Sequence, residues 1–309
     1  MRVAYFGPAG TFTEEALLTQ PDLAAGDRTA FAAVPEVIAA VERGDADGGV
    51  VPIENMIEGS VSVTLDTLAF DSDLLIQREI DLPVSLNLCV RPGVPLADVR
   101  TVVSFPHALA QCRGWLAKKV PAAQARASHS TSDAAREVSK SKRTDVAAIC
   151  NALAAELYGL EVLAREIEDH PENETRFVLV GRGVPAPTGH DKTSIVCFQR
   201  EDQPGSLLSI LQEFAARAIN LTKLESRPTK RGLGDYCFFV DCEGHVSDEV
   251  VADALRNLVA KQAEVKFLGS YPVGGPAEAG AVRRRAAGRA WKHAAAWVES
   301  LRAQVRETE

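Results

Sequence analysis

The run Asn173-Glu174-Thr175-Arg176-Phe177 brings a hydroxyl, a guanidinium and an aromatic ring to the edge of an apolar strand. Other apolar runs end in polar groups of similar kind. Val51-Pro52-Ile53 leads into Glu54, which can hold an arginine or cap a turn, and Asn55, whose amide both donates and accepts. Val102-Val103 leads into Ser104, and Gln111 follows on the next helix, so the two can meet where that helix folds back. His107 is a general base by type, yet no acid stands near it in sequence, which favours a helix-start or surface role. Gly7-Pro8-Ala9-Gly10-Thr11-Phe12-Thr13 follows the first apolar run and precedes a helical pattern. Its N–H groups and hydroxyls can cradle an anion, although a plain strand-to-helix turn reads the same. In a second region, Gly205 permits close approach of a ligand carboxylate to the start of a helix opened by Ser206 and Leu207, with Asn220 and Leu221 able to complete a pocket. The signatures G-x-G-x-x-G, Walker A, H-E-x-x-H and G-x-S-x-G are absent, so the common nucleotide, zinc-protease and serine-hydrolase chemistries lose their support.

The elements that must position these groups read as α/β. From Arg2 to about Gly181, short apolar runs alternate with helical patterns, as in a mostly parallel sheet wrapped by helices. Strands are expected at Val3 to Phe6, Gly49 to Ile53, Val102 to Ser104, Val146 to Ile149 and Phe177 to Val180. Thr13 reads as the N-cap of a helix reaching Leu18, Ser132-Asp133 as the opening of one reaching Val138, and Gly59-Ser60 as the opening of a third. Leu74 to Asp81 and Val84 to Arg91 read as a crossover between two lobes, with a return near Val162 and a ligand cleft where strand ends from both lobes meet. Gly181 to Gly189, with its glycines and prolines, reads as a linker. Beyond it, strand Thr193 to Phe198, helix Ser206 to Ala218, strands Leu221 to Ser226 and Tyr236 to Cys242, helix Asp248 to Lys261 and strand Val265 to Tyr271 spell βαββαβ. A basic helical tail, 274–309, carries Trp291, Ala294, Val298, Leu301 and Val305 as one apolar stripe, read as packing on its own subunit or as an oligomer contact.

Composition narrows the class. A chain of 309 residues has room for at least two cores, and no apolar run approaches the ~18 residues of a membrane span. The net charge of −8 opposes a nucleic-acid footprint, and the six cysteines form neither a C-x-x-C pair nor a His-rich cluster, so no metal site is implied. The chain opens without a signal-peptide pattern, which makes cytoplasmic residence the expectation.

Five ordered motifs then resemble one family: Gly7 to Thr13, Pro52-Ile53-Glu54-Asn55, Ser104 with Gln111, Thr175-Arg176-Phe177, and Ile219 to Pro228. The chain resembles the prephenate dehydratases with a C-terminal ACT regulatory domain, over roughly residues 2 to 272. The resemblance implies a two-lobed, periplasmic-binding-protein-like catalytic domain at 1–185, with lobes of about 1–76 plus 160–185 and 77–159, and a ferredoxin-like ACT domain at 190–273. It implies decarboxylative dehydration of prephenate to phenylpyruvate with no cofactor. Thr175 is then the key catalytic group, Asn55, Ser104, Gln111 and Glu54 are its polar support, and Gly10, Thr11, Phe12, Arg176 and Phe177 contact substrate, with Arg176 serving the dianion. Phenylalanine is implied as effector, bound by Gly205, Ser206, Leu207, Asn220, Leu221, Glu225 and Ser226 in a homo-oligomer, dimer or tetramer, although Glu225 with Arg227 can also be a plain surface pair. No fused chorismate mutase is expected ahead of Arg2, so a separate one supplies substrate. Met56 stands where the family usually has serine, Phe105 where it has histidine and Ser206 where it has alanine, which bears on substrate positioning and effector preference. An arogenate dehydratase and a non-catalytic two-lobed receptor are the rival readings.

Overall fold

The computed structural model describes residues 1–199, 204–230, 232, 235–261, 264–274, 293–294 and 296–304. The chain groups into two compact units, Met1–Thr67 with Ile80–Gly181, and Leu68–Glu79 with the residues from Arg182 onward.

In chain order the strands of the first two sheets are β1 (Arg2–Phe6), β2 (Asp27–Phe31), β3 (Gly48–Asn55), β4 (Gly59–Ser60), β5 (Leu75–Pro83, of which Leu75–Glu79 group with the second unit), β6 (Asn87–Val90), β7 (Thr101–Ser104), β8 (Gln124–Ala127), β9 (Val146–Cys150), β10 (Glu161–Ala164) and β11 (Glu174–Gly181). They form two sheets, ordered β2-β1-β3-β11-β5 with β4 beside β3, and β10-β6-β9-β7-β8. Each sheet with its helices is one lobe. Strand β9, Val-Ala-Ala-Ile-Cys, is buried at every position, the continuous apolar run of a strand covered on both faces. The first lobe's core gathers Val3, Tyr5, Leu17, Val50, Ile80, Phe177 and Leu179, and the second lobe's gathers Leu86, Leu88, Val102, Ile149 and Ile167. Phe12 packs against both.

Several expectations shift. The sheets are mixed rather than mostly parallel, since β11 runs antiparallel to β3, and β6 runs antiparallel to both β9 and β10. The lobe boundaries move as well. Strand β5 belongs to the first sheet through Pro83, and β10 pairs with β6 in the second, Val162 opposite Cys89, so the chain crosses after Pro83 and returns only between Ala164 and Glu174. Thr11, not Thr13, caps the first helix (Phe12–Leu18): it is extended at φ −76° and ψ 164°, and its oxygen accepts from Glu14 N. Thr13 already lies inside the helix. By the same rule Ser130 rather than Ser132 caps the helix Thr131–Lys140, accepting from Asp133 N. Gly59-Ser60 is strand β4, and the helix follows at Ser62–Asp66.

The second unit holds β12 (Asp191–Phe198), the helix Ser206–Ala215, β13 (Leu221–Pro228), β14 (Tyr236–Glu243), the helix Glu249–Lys261 and β15 (Glu264–Pro272). The βαββαβ order is as read, with the first helix ending at Ala215. The sheet is antiparallel in the order β13-β14-β12-β15. Ile210, Phe214 and Leu258 from the helices pack on Ile195, Cys197, Phe238 and Val240. The segment Leu68–Glu79 joins this unit through specific ties: Lys192 Nζ lies 2.7 Å from Glu79 Oε2 with both side chains buried, and Lys266 Nζ donates to Ser72 O at 2.7 Å. All six cysteines are free and buried, and burial pushes the Cys197 and Cys242 thiols up to about 12. Trp291, Val305 and the basic cluster of the expected tail lie outside the described residues. Residues 296–302 are helical, with Val298 and Leu301 exposed.

Candidate active site

The ladder between β3 and β11 sets the geometry. Thr175 pairs with Asn55 and Arg176 with Glu54, so alternation places Thr175 and Asn55 on one face and Arg176 and Glu54 on the other. Phe177 and Leu179 share the Thr175 face and fill the first lobe's core, so Thr175 stands where that core ends. Asn55 Oδ1 accepts from the N–H groups of Ile57 and Glu58, both at 3.0 Å, which turns Nδ2 the other way. Nδ2 donates to Thr175 Oγ1 at 2.8 Å and to Asn173 Oδ1 at 3.0 Å. Because the threonine oxygen accepts here, its own proton is left to donate.

The polar chain continues into the second lobe. Asn173, 1% exposed, donates from Nδ2 to Gln111 Oε1 at 3.2 Å, and Gln111 Nε2 donates to Glu58 Oε1 at 3.1 Å. Gln111 ends the helix Pro106–Gln111, so it reaches this chain from the second lobe, while Asn173 lies on the returning crossover. Glu58 Oε2 sits 2.6 Å from His107 Nδ1, and the imidazole stacks on the Phe105 ring at 5.2 Å. The acid that sequence proximity withheld from His107 is therefore Glu58. Asn173 and Glu58 are the members that motif reading left out, although Asn173 stands two residues before Thr175 and Glu58 three after Asn55.

Other expected members lie apart from this chain. Ser104 is fully buried and its hydroxyl donates to Ile149 O at 2.7 Å, stapling β7 to β9. Phe177, 2% exposed, is core, because it lies one alternation step inward from Thr175. Arg176 Nη1 lies 2.9 Å from Glu54 Oε2 and its Nε 3.7 Å from Asp81 Oδ1. Two carboxylates thus already surround the guanidinium on the far face, which separates both Glu54 and Arg176 from the Thr175 hydroxyl.

The glycine loop joins the lobes instead of offering an open cradle. Gly10 N donates to Glu14 Oε2 at 2.6 Å, so the helix's own carboxylate takes one of the donors meant for an anion. Ser132 Oγ and Tyr158 OH, both from the second lobe, donate to Ala9 O, and Asn151 Nδ2 donates to Glu15 Oε2 at 2.6 Å. Gly10 has φ +82°, and a Cβ there would stand 2.9 Å from Ser132 Oγ, so only glycine fits. Burial pushes the Glu15 carboxyl up, partly opposed by the Asn151 hydrogen bond. Burial and the neighbouring Glu14 raise the Tyr5 phenol well above its usual range. Among the described residues no group of His, Cys, Asp and Glu is arranged to hold a metal ion.

The second unit has its own cavity of about 430 Å³, lined by Gly205, Ser206, Leu207, Leu211, Ser226 and Phe238 among others. Gly205 is left-handed at φ 92° and starts the helix Ser206–Ala215. Within one chain Asn220, Leu221 and Glu225 are not part of this cavity. Asn220 donates to Glu243, Leu221 packs on the core, and Glu225 pairs with Lys223 and Arg227 as the surface reading has it.

The sequence model of the family described as prephenate dehydratase matches residues 3–184, the stretch that carries both halves of the polar chain. The chain belongs to the prephenate dehydratase family. The ACT domain model matches residues 193–260. The prephenate dehydratase of Mycolicibacterium vanbaalenii is 48% identical over 287 residues, 88% of this chain and 91% of its own. That of Mycobacterium tuberculosis H37Rv is 47% identical over 286 residues, 89% of this chain and 88% of its own. A solved prephenate dehydratase from Arthrobacter aurescens, in complex with L-Phe, superposes with a TM-score of 0.88 at 40% identity, covering 97% of this chain and 99% of that one. The two-lobed α/β unit followed by a four-stranded antiparallel ACT sheet is the architecture of this prephenate dehydratase family member.

Proposed function

We propose that this protein converts prephenate to phenylpyruvate, carbon dioxide and water, under control by phenylalanine. The carboxylate on the ring leaves as carbon dioxide, its bonding pair flows into the ring, and the hydroxyl on the opposite carbon departs as water with one proton taken up from solvent. Aromatisation drives the step and no electrons are exchanged with an outside carrier. The leaving oxygen is where charge develops, so a neutral donor aimed at it lowers the barrier most. Thr175 fills that role: Asn55 Nδ2 occupies its acceptor side at 2.8 Å and leaves the hydroxyl proton for the substrate. This contact is the observation that carries the reading. Both Asn55 hydrogen-bonding ends are used internally, which makes Asn55 a support for Thr175, whereas Gln111 spends one N–H on Glu58 and keeps the other.

For the C-terminal unit we propose an ACT regulatory domain at 190–273 that takes phenylalanine in the cavity beside Gly205, the backbone N–H groups of the Ser206–Ala215 helix meeting its carboxylate. The volume suits one amino acid, and the Arthrobacter relative contains L-Phe. Pairing of ACT domains across a homo-oligomer would complete that site with Asn220 and Leu221 of the second copy. Linkage requires prephenate and phenylalanine to oppose each other's binding.

Turnover of prephenate and of arogenate by the purified protein, with and without phenylalanine, tests the assignment. Prephenate is expected to be the better substrate and phenylalanine to inhibit. Thr175→Ala is expected to lose about 10²–10³-fold in kcat with folding intact, and Thr175→Ser to keep most of it. Near-normal turnover in a folded Thr175→Ala protein removes Thr175 from the mechanism.

A further inference from the structure

We propose that Glu58 is a positioning residue for this reaction, its carboxylate setting the donor and acceptor sense of the amide chain that ends on Thr175. The inference rests on the dehydratase reading above. A carboxylate only accepts hydrogen bonds, whereas each amide along the chain has one donating and one accepting end and is satisfied only when its neighbours agree. Glu58 Oε1 takes Gln111 Nε2 at 3.1 Å, which obliges Gln111 to show Oε1 to Asn173. Asn173 then presents Nδ2 at 3.2 Å, which leaves its Oδ1 for Asn55 Nδ2 at 3.0 Å.

The far end is fixed separately. Asn55 Oδ1 receives the N–H groups of Ile57 and Glu58, so its Nδ2 must face Asn173 and Thr175. Asn173, taken alone, could sit either way round, and it is 1% exposed, so water cannot satisfy a wrong choice. Glu58 and Asn55 hold it from both sides in the same sense. Without the carboxylate, a half-turn of the Gln111 amide sets two NH₂ groups face to face. Relieving that clash by turning Asn173 brings its NH₂ against that of Asn55 and draws the latter off Thr175. A flip at Gln111 is therefore transmitted to the hydroxyl. His107 Nδ1, at 2.6 Å from the second Glu58 oxygen and stacked on Phe105, holds the carboxylate in place.

The test is a cycle of four full-length proteins: wild type, Glu58→Gln, Asn173→Asp and the double variant, each assayed for kcat and KM on prephenate and for thermal unfolding. Glu58→Gln alone is expected to lower kcat about tenfold with KM within about twofold, since the fold is kept and only the alignment of a donor is lost. Asn173→Asp alone sets two acceptor-only groups against one Gln111 NH₂ and lowers kcat further. In the double variant the Gln111 amide can turn round, donating to the new carboxylate at 173 and accepting from the new amide at 58, while Asn55 keeps its acceptor. Glu58→Gln is thus expected to raise kcat about fivefold in the Asn173→Asp background, the reverse of its effect in wild type. Losses that simply multiply overturn the proposal. So does a sign reversal confined to the unfolding midpoints, because the amides would then be ordered without serving Thr175. A wild-type protein inactive on prephenate sinks the dehydratase reading instead, and the midpoints still report the order of the amides.

Discussion

Asn55 and Thr175 face each other across the β3–β11 ladder, amide nitrogen to hydroxyl oxygen at 2.8 Å, with the amide's own oxygen tied down by two backbone N–H groups. Direction matters more than proximity in this contact. Asn55→Asp keeps the shape and removes the donor, so the threonine hydroxyl turns to donate toward the new carboxylate and is lost to the leaving group. We expect kcat to fall by about 10²-fold or more, with an unfolding midpoint close to wild type. Full activity in this variant would show that Thr175 needs no partner at position 55.

Ser104 gives the opposite result. Its buried hydroxyl ties β7 to Ile149 O, and Ser104→Ala leaves that carbonyl short of a donor. A loss of about 1–3 kcal/mol in denaturant-unfolding free energy is expected. The kcat on prephenate should stay within about threefold. A large drop in kcat at unchanged stability would return Ser104 to the reacting groups.

The Glu15 carboxyl carries a pH dependence. Burial raises its folded-state pKa above the unfolded value, so the folded form holds the extra proton and the associated stability is present at low pH and lost as pH rises through the folded pKa. Glu15→Gln keeps an acceptor for Asn151 Nδ2 and removes the buried charge. The variant should be more stable than wild type at neutral pH, and the gap should close on acidification. Unfolding curves of the two proteins across pH 3 to about 8, the range over which raised carboxyls titrate, check both statements. A gap independent of pH would refute them.

In the second unit, the buried Lys192–Glu79 pair links the segment before Ile80 to strand β12. Lys192→Met takes the ammonium from Glu79 and is expected to cost about 3–5 kcal/mol, whereas Lys192→Met with Glu79→Leu should recover most of it. Calorimetry of the three proteins decides between them.

The pairing of a hydroxyl with an amide is half legible in the sequence: Thr175 and Asn55 each stand at the end of an apolar run, a position that needs only local order, while their contact needs the β3–β11 ladder. The βαββαβ unit reads directly, because its helices and strands announce their own periods. What escaped depends on which strands become neighbours. Gln111 and Asn173 meet across 62 positions of chain, and the acid for His107 comes from the other lobe. The lobe boundaries shifted because β5 and β10 are assigned by partners far along the sequence. The burial of Phe177 follows from alternation. Thr175, Phe177 and Leu179 alternate onto one face, and the outermost of the three is the one free to meet a ligand.

At Gly10 the first lobe meets the second with nothing but backbone on its side, Ala154 and Ser132 lying directly opposite. One methyl group at that point is a shim. Any side chain there has to push Ser132 and Ala154 back, so the bare α-carbon sets how closely the two lobes approach.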